Sequence, residues 1–198
     1  MVRTVYMANR RCGFYWLSAV LVAFFGCIMM TQPLYGAEKS KAAKIEDSVN
    51  EALQRFYEQV KDGKAVASRA KGLLVLPNVG KGALIVGFEY GSGALRVGGK
   101  TVDYYSMAAG SLGFQIGGEA KDIIISFNSD DALNRFRAAK GWEAGVDGNV
   151  ALFTVGGGQN SLAAMNENPI LAFVFDVKGL IADLSIKGAK FNKLDLSK

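Results

Sequence analysis

The chain has 198 residues, half of them hydrophobic and 21% charged, which reads as about one domain plus an extension at roughly 100–200 residues per domain and excludes wholesale disorder. Histidine is absent, and the two cysteines, Cys12 and Cys27, both precede Glu38. The commonest general base, the commonest metal ligand, a disulfide framework and a thiolate metal site are therefore all missing from the body of the chain. The formal net charge is +5. Arg3, Arg10 and Arg11 precede any acidic residue, and without them 20 basic residues stand against 18 acidic ones. Nucleic-acid binding is not expected from so small an excess.

Arg10-Arg11 precedes the apolar run GFYWLSAVLVAFFGCIMM, followed by the polar exit TQPLYGAEKS. A basic start, an apolar run and small residues near Gly36 and Ala37 predict a signal peptide over residues 1–37, with an uncleaved membrane anchor as the alternative. Cys27 reads as an ordinary residue of the apolar run. Residues 38–47 read as a flexible lead-in. Ile45, Val49, Leu53, Phe56 and Val60 then recur at three- and four-residue steps and predict an amphipathic helix that ends at Gly63. Glu46, Asp47, Glu51 and Arg55 are expected to face away from its apolar stripe. The stripe can dock on the domain's own sheet. Alternatively the helix, flanked by Lys41, Lys44, Lys61 and Lys64, can lie on an anionic membrane surface.

Ser68 to Lys71 reads as a short helical turn. Gly72 to Leu76 reads as a buried strand ended by Pro77-Asn78. Leu84, Val86, Phe88 and Tyr90 alternate at a strand period, Gly91-Ser92-Gly93 reads as a turn, and Ala94 to Val97 as the returning strand. Gly98-Gly99 reads as a hairpin turn. The following Lys100-Thr101 does not make it a phosphate-binding loop, because Ala94 stands where that loop needs Gly and no helix follows. Thr101 to Ser106, Phe114 to Ile116, Ile123 to Phe127, Val150 to Val155, Ile170 to Val177, Leu180 to Ile186 and Gly188 to Leu194 read as further strands. Ser129 is placed to cap a helix whose Leu133 and Phe136 face inward and which Gly141 ends. Trp142 to Asn149 reads as a loop or bulge region, and Ser161 to Glu167 as a polar stretch. The sum is an α+β fold, an antiparallel sheet curling into a sandwich or barrel, with two or three helices.

The blocks AKGLLVLPNVGKGALIVGFEYGSGALRV, SMAAGSLGFQIGGEAKDIIISF, GVDGNVAL and KGLIADLSIKGAKFNKL, in this order and spacing, resemble the SYLF domain family, a lipid-binding and, in fungi, actin-binding family. The likeness runs from about residue 48 to the C-terminus. The arrangement is similar to the bacterial exported branch, with a leader and no partner domain. The resemblance implies a non-enzymatic role in binding lipid or a membrane surface, of the phosphoinositide type in eukaryotic members, through a basic N-terminal helix. Lys41, Lys44, Arg55, Lys61, Lys64, Arg69 and Lys71 are the corresponding lipid-binding candidates. This helix departs from the basic pattern in carrying only Arg55 between Ile45 and Val60. Actin is not an expected partner for an exported domain.

Catalysis has little to work with. Asp103, Glu119, Asp122, Asp130 and Asp131 are the carboxylates of the middle of the chain, and nothing in their spacing pairs them in a pocket. Ser106, Ser111 and Ser126 have no histidine to activate them. Neither cofactor nor metal is expected. The expected location is the periplasm or cell envelope, and the expected partners are an anionic lipid surface and, as the alternative, another envelope protein met by strand addition.

Overall fold

The computed structural model describes residues 39–81, 88–110, 119–178 and 186–196. The leader, the start of the strand read over Leu84 to Tyr90, the strand at Phe114 and Ile116, and nearly all of the return strand from Leu180 to Ile186 lie outside the described residues.

Among the described residues, four helices, α1 (Lys41–Gln59), α2 (Gly63–Arg69), α3 (Asp130–Ala138) and α4 (Ser161–Glu167), accompany eight strands: β1 (Gly72–Lys81), β2 (Phe88–Val97), β3 (Lys100–Gly110), β4 (Glu119–Phe127), β5 (Trp142–Glu143), β6 (Ala151–Thr154), β7 (Ile170–Lys178) and β8 (Lys190–Leu194). The strands form one sheet in the order β5-β8-β3-β2-β1-β4-β7-β6, curled into a half-barrel. Every pairing is antiparallel except β6 with β7, which is parallel. The fold is thus α+β with a mixed sheet. The described residues hold one helix more than the two or three the sequence suggests. The stretch from Ser161 is the unread helix, capped by the Asn160 carboxamide, which accepts from the Leu162 and Ala163 N–H groups.

Both faces of the sheet are buried, which explains why β1, β4 and β7 are nearly continuous apolar runs rather than alternating ones. Leu74, Leu76, Ile123, Ile125, Phe127, Ala172 and Val174 point to one face, where α3 lays Leu133 and Phe136 beside Trp142 and Phe191. Leu73, Val75, Ile124, Leu171, Phe173 and Phe175 point to the other, under Ile45, Val49, Leu53 and Phe56 of α1 and Val66 of α2. Of the two readings of the α1 stripe, docking on the domain's own sheet is the one the fold adopts. Burying Ile45, Val49, Leu53, Phe56 and Val60 contributes on the order of 10 kcal/mol before the entropy of ordering them is counted. Ser40 caps α1 by accepting from the Ala43 N–H. The helix begins inside the stretch read as a lead-in, and Ile45 is already buried. Its end is also different. Gly63 opens α2 rather than closing α1, and it packs so closely that a Cβ there would stand 2.8 Å from the Phe56 carbonyl oxygen. Among the described residues both core clusters lie between Ile45 and Leu196, and Lys39–Lys198 form a compact unit by themselves.

Gly91-Ser92-Gly93 is not a turn; it lies within β2. The neighbouring β1 does not stop at Pro77-Asn78 but bulges there, with Asn78 in the left-handed region at φ 49°. The bulge brings the β1 backbone over β2, so that a Cβ on Gly93 would sit 1.8 Å from the Val75 carbonyl oxygen. Glycine in a strand marks such close backbone approach as readily as it marks a turn. Gly98 and Gly99, at φ 57° and 78°, do form the expected two-residue hairpin turn between β2 and β3. The helix after Ser129 forms as read, but Ala139 in an extended conformation ends it, not Gly141.

Gly93→Ala should destabilise the fold by about 3 kcal/mol or more, the upper end for overpacking, since the clashing atom is backbone and cannot rotate away. Urea denaturation of this variant beside Ser92→Ala, which meets no such contact, checks it.

Candidate surface-binding face

The seven basic residues read from the sequence lie on or beside α1 and α2, but the fold does not bring them together as one patch. Lys41 and Lys44 sit on the first turn of α1 and Lys61 just past its last. Nineteen residues at about 1.5 Å each separate the two ends by roughly 28 Å. Arg55 lies between them and is only 24% exposed. Its Nε donates to Asp122 Oδ2 at 2.8 Å and lies 3.2 Å from Asp176 Oδ2. Asp122 is 1% exposed, and its other oxygen accepts from the Asn78 N–H at 2.9 Å. The hydrogen bond to Asp122 pushes the already high Arg55 pKa further up against the opposing effect of burial, so the guanidinium is a permanent cation. Arg55 therefore faces the sheet and clamps α1 to it. It is not turned outward as the helical wheel suggests.

Glu46 also faces inward. Its carboxylate pairs with Arg96 of β2 at 2.9 Å, and the same Arg96 nitrogen donates to Asn50 at 2.8 Å. Burial would raise the Glu46 pKa, but the Thr101 and Tyr104 hydroxyls and Arg96 outweigh it and hold the group below its ordinary value of 4.5. Asp47 is spent on Lys39 at 2.6 Å. Lys71 reaches Asp130 at 3.3 Å. Lys41, Lys61, Lys64 and Arg69 are exposed and make no ion pair among the described residues.

Of the carboxylates considered for catalysis, Asp103, Asp122, Asp130 and Asp131 are dispersed and occupied, and the Glu119 side chain lies outside what the structure describes. Asp103, nearly buried, is met by Arg137 at 3.3 Å and by Lys193. Asp131 pairs with Arg135 one helical turn on, and Asp130 with Lys71. Lys121 and Glu89 form a buried pair at 3.1 Å across the sheet. Ser126 donates to the Leu171 carbonyl. Ser111 lies outside the described residues. A groove of about 210 Å³ runs between the start of α3, Trp142, Asn149 and Asn168-Pro169. Its polar side chains serve the fold: Ser129 caps α3, and Asp147 accepts from the Glu143 N–H at 2.7 Å. Among the described residues no three Asp, Glu, His or Cys side chains gather as a metal ion would need, and no helix is long and apolar enough to cross a membrane.

Residues 108–195 match the family model described as Ysc84, Las17-binding protein actin regulator. By that match these residues are similar to a Ysc84, or SYLF, domain. The match spans the end of β3 through β8 and so includes α3, α4 and the buried pairings of β4 with β7. No curated protein matches the chain in sequence. The candidate residues from Lys41 to Lys71 precede the matched residues, so the family match does not reach them.

Two outcomes test these assignments. Arg55→Ala should cost about 3 kcal/mol in urea, because it leaves Asp122 buried without its cation, whereas Lys64→Ala should change stability by less than about 0.5 kcal/mol. The pH dependence should fall at both ends. The depressed Glu46 contributes stability above its ordinary 4.5 that is lost as pH falls through its lower folded value. Burial, then the Asp103 charge, pushes the Tyr105 phenol from 10 up to about 12, so its contribution is present below pH 10 and lost as pH rises toward 12. Its hydroxyl has no hydrogen-bond partner among the described residues, so Tyr105→Phe should flatten the alkaline limb of the melting-temperature profile without lowering stability at neutral pH.

Proposed function

We propose that this protein is a non-enzymatic exported envelope protein whose folded body binds an anionic lipid or membrane surface. The observation that carries the reading is the arrangement of charge on the helix layer. The cations inside it are consumed by buried carboxylates, and those left over are exposed on its outer side. The SYLF resemblance supports the same reading, and the description of the matching family adds that its namesake regulates actin. For a chain with an apolar leader, a lipid surface is the partner we favour over actin. Contact of this kind needs no convergent pocket. Each basic residue held near an anionic surface contributes about 1 kcal/mol, and the total is screened by salt.

The alternative is a protein-interaction module that adds a strand at a sheet edge. It has less support. The edge strands of the described sheet, β5 and β6, are two and four residues long, and short edges are one way a sheet avoids such pairing.

The test is flotation of residues 39–198 with vesicles of phosphatidylcholine, with and without phosphatidylglycerol. Binding is expected only to the anionic vesicles. It should be retained at about 0.1 M salt or below and released near 1 M, where the screening length falls to about 3 Å. A protein that stays with the soluble fraction at every salt concentration ends this reading.

A further inference from the structure

We infer that the membrane-facing part of the molecule is the corner made by residues 61–71, with Lys61, Lys64 and Arg69 as its contact cations, and that it reads the charge of an anionic bilayer rather than one headgroup. The inference rests on the proposed lipid-surface reading and narrows it to one place and one mode.

The charge count decides the place. Residues 39–60 carry four basic and four acidic side chains, so the length of α1 is neutral. Residues 61–71 carry four basic against one acidic, Asp62. All of the excess positive charge of the helix layer thus lies in the second stretch. Pairing sharpens the contrast. Along α1, Lys39 is held by Asp47 and Arg55 by Asp122 and Asp176. In the second stretch Lys71 alone is paired, with Asp130, and Lys61, Lys64 and Arg69 are exposed and unpaired among the described residues.

Packing decides the mode. The corner is fixed to the body rather than hinged. The Gly63 N–H donates to the Val60 carbonyl at 2.9 Å, Val66 is fully buried, and the Ser161 hydroxyl donates to the Lys61 carbonyl at 3.0 Å. None of the large hydrophobic side chains exposed among the described residues falls between 61 and 71. The corner therefore has charge to offer a surface and nothing to insert into it. Nor does α1 supply the insertion. Peeling it away would uncover Leu73, Val75, Ile124 and Phe173 beneath. Exposed cations on a rigid, apolar-poor corner respond to surface charge density, and no buried donor is present there to select one phosphate ester.

The experiment compares residues 39–198 with two triple variants that lose the same charge. One is Lys61→Gln/Lys64→Gln/Arg69→Gln. The other is Lys100→Gln/Lys140→Gln/Lys190→Gln, at exposed cations elsewhere. Each is measured by sedimentation with phosphatidylglycerol vesicles at low salt, and again with phosphatidylserine and phosphatidylinositol 4-phosphate vesicles matched for surface charge. At about 1 kcal/mol per cation the first variant should lose on the order of 100-fold in affinity, and the second less than about fivefold, since its cations are spread over the surface. The three lipids should bind alike. Equal losses in the two variants, or none in the first, would overturn the placement. A strong preference for the phosphoinositide at matched charge would overturn the mode. If the unaltered protein binds none of the vesicles, the underlying reading falls and this one with it. Matching melting temperatures for all three proteins separate lost binding from lost folding.

Discussion

A single buried carboxylate organises one end of this fold. Asp122 lies in β4 between β1 and β7, with 1% of its surface exposed. One oxygen holds the Asn78 N–H at the β1 bulge, and the other holds Arg55 of α1. Arg55 in turn meets Asp176, which occupies the left-handed region at φ 48° in β7, and whose N–H donates to Gln59 of the same helix. Three adjacent strands and a helix thus share one hydrogen-bonded cluster, and two of the strands leave regular geometry beside it. A buried charge is tolerated only when its partners are supplied in full. Here the supply comes from a helix 67 residues away in the chain, so the register of the sheet and the seating of α1 depend on each other.

That dependence separates the work of the two kinds of charge on the helix layer. Arg55 and Glu46 act inward, on Asp122 and Arg96, and give α1 a defined position on a face that apolar burial alone would leave free to slide. Lys61, Lys64 and Arg69 act outward. The inward pairs are few but desolvated, so breaking one costs several kcal/mol. The outward cations cost almost nothing to change in the folded molecule. Stability and surface recognition can therefore vary independently along a single stretch of about thirty residues.

The parts of the fold legible from the sequence are those fixed by neighbours in the chain. Ser129 capping α3, the Gly98-Gly99 turn and the α1 stripe each depend on residues within a few positions, and local pattern specified them. The errors share a different cause. Gly91 and Gly93 look like turn residues until the β1 bulge is placed against them. Arg55 sits on the polar side of a helical wheel, and only the fold shows that a buried Asp122 waits there. The parallel pairing of β6 with β7 follows from α4 crossing between them, and α4 was hidden by its polar composition, although Asn160 ahead of Leu162 and Met165 was a readable start. For the candidate site, the residue types were legible but not which of them the fold leaves free, because pairing is decided by strands far away in the sequence.

The place of β8 in the sheet has a consequence for how the molecule is made. The last strand enters between β5 and β3, and its Phe191 completes the cluster around Phe136 and Trp142. Until it arrives, β3 keeps an open edge and one of the two cores lacks a wall. Because β3 and β8 are some 86 positions apart where they pair, closure is a late, long-range event. The growing polypeptide stays unfinished until β8 has been released, and a copy cut short before Lys190 would expose the flank of β3 to its neighbours and tend to clump.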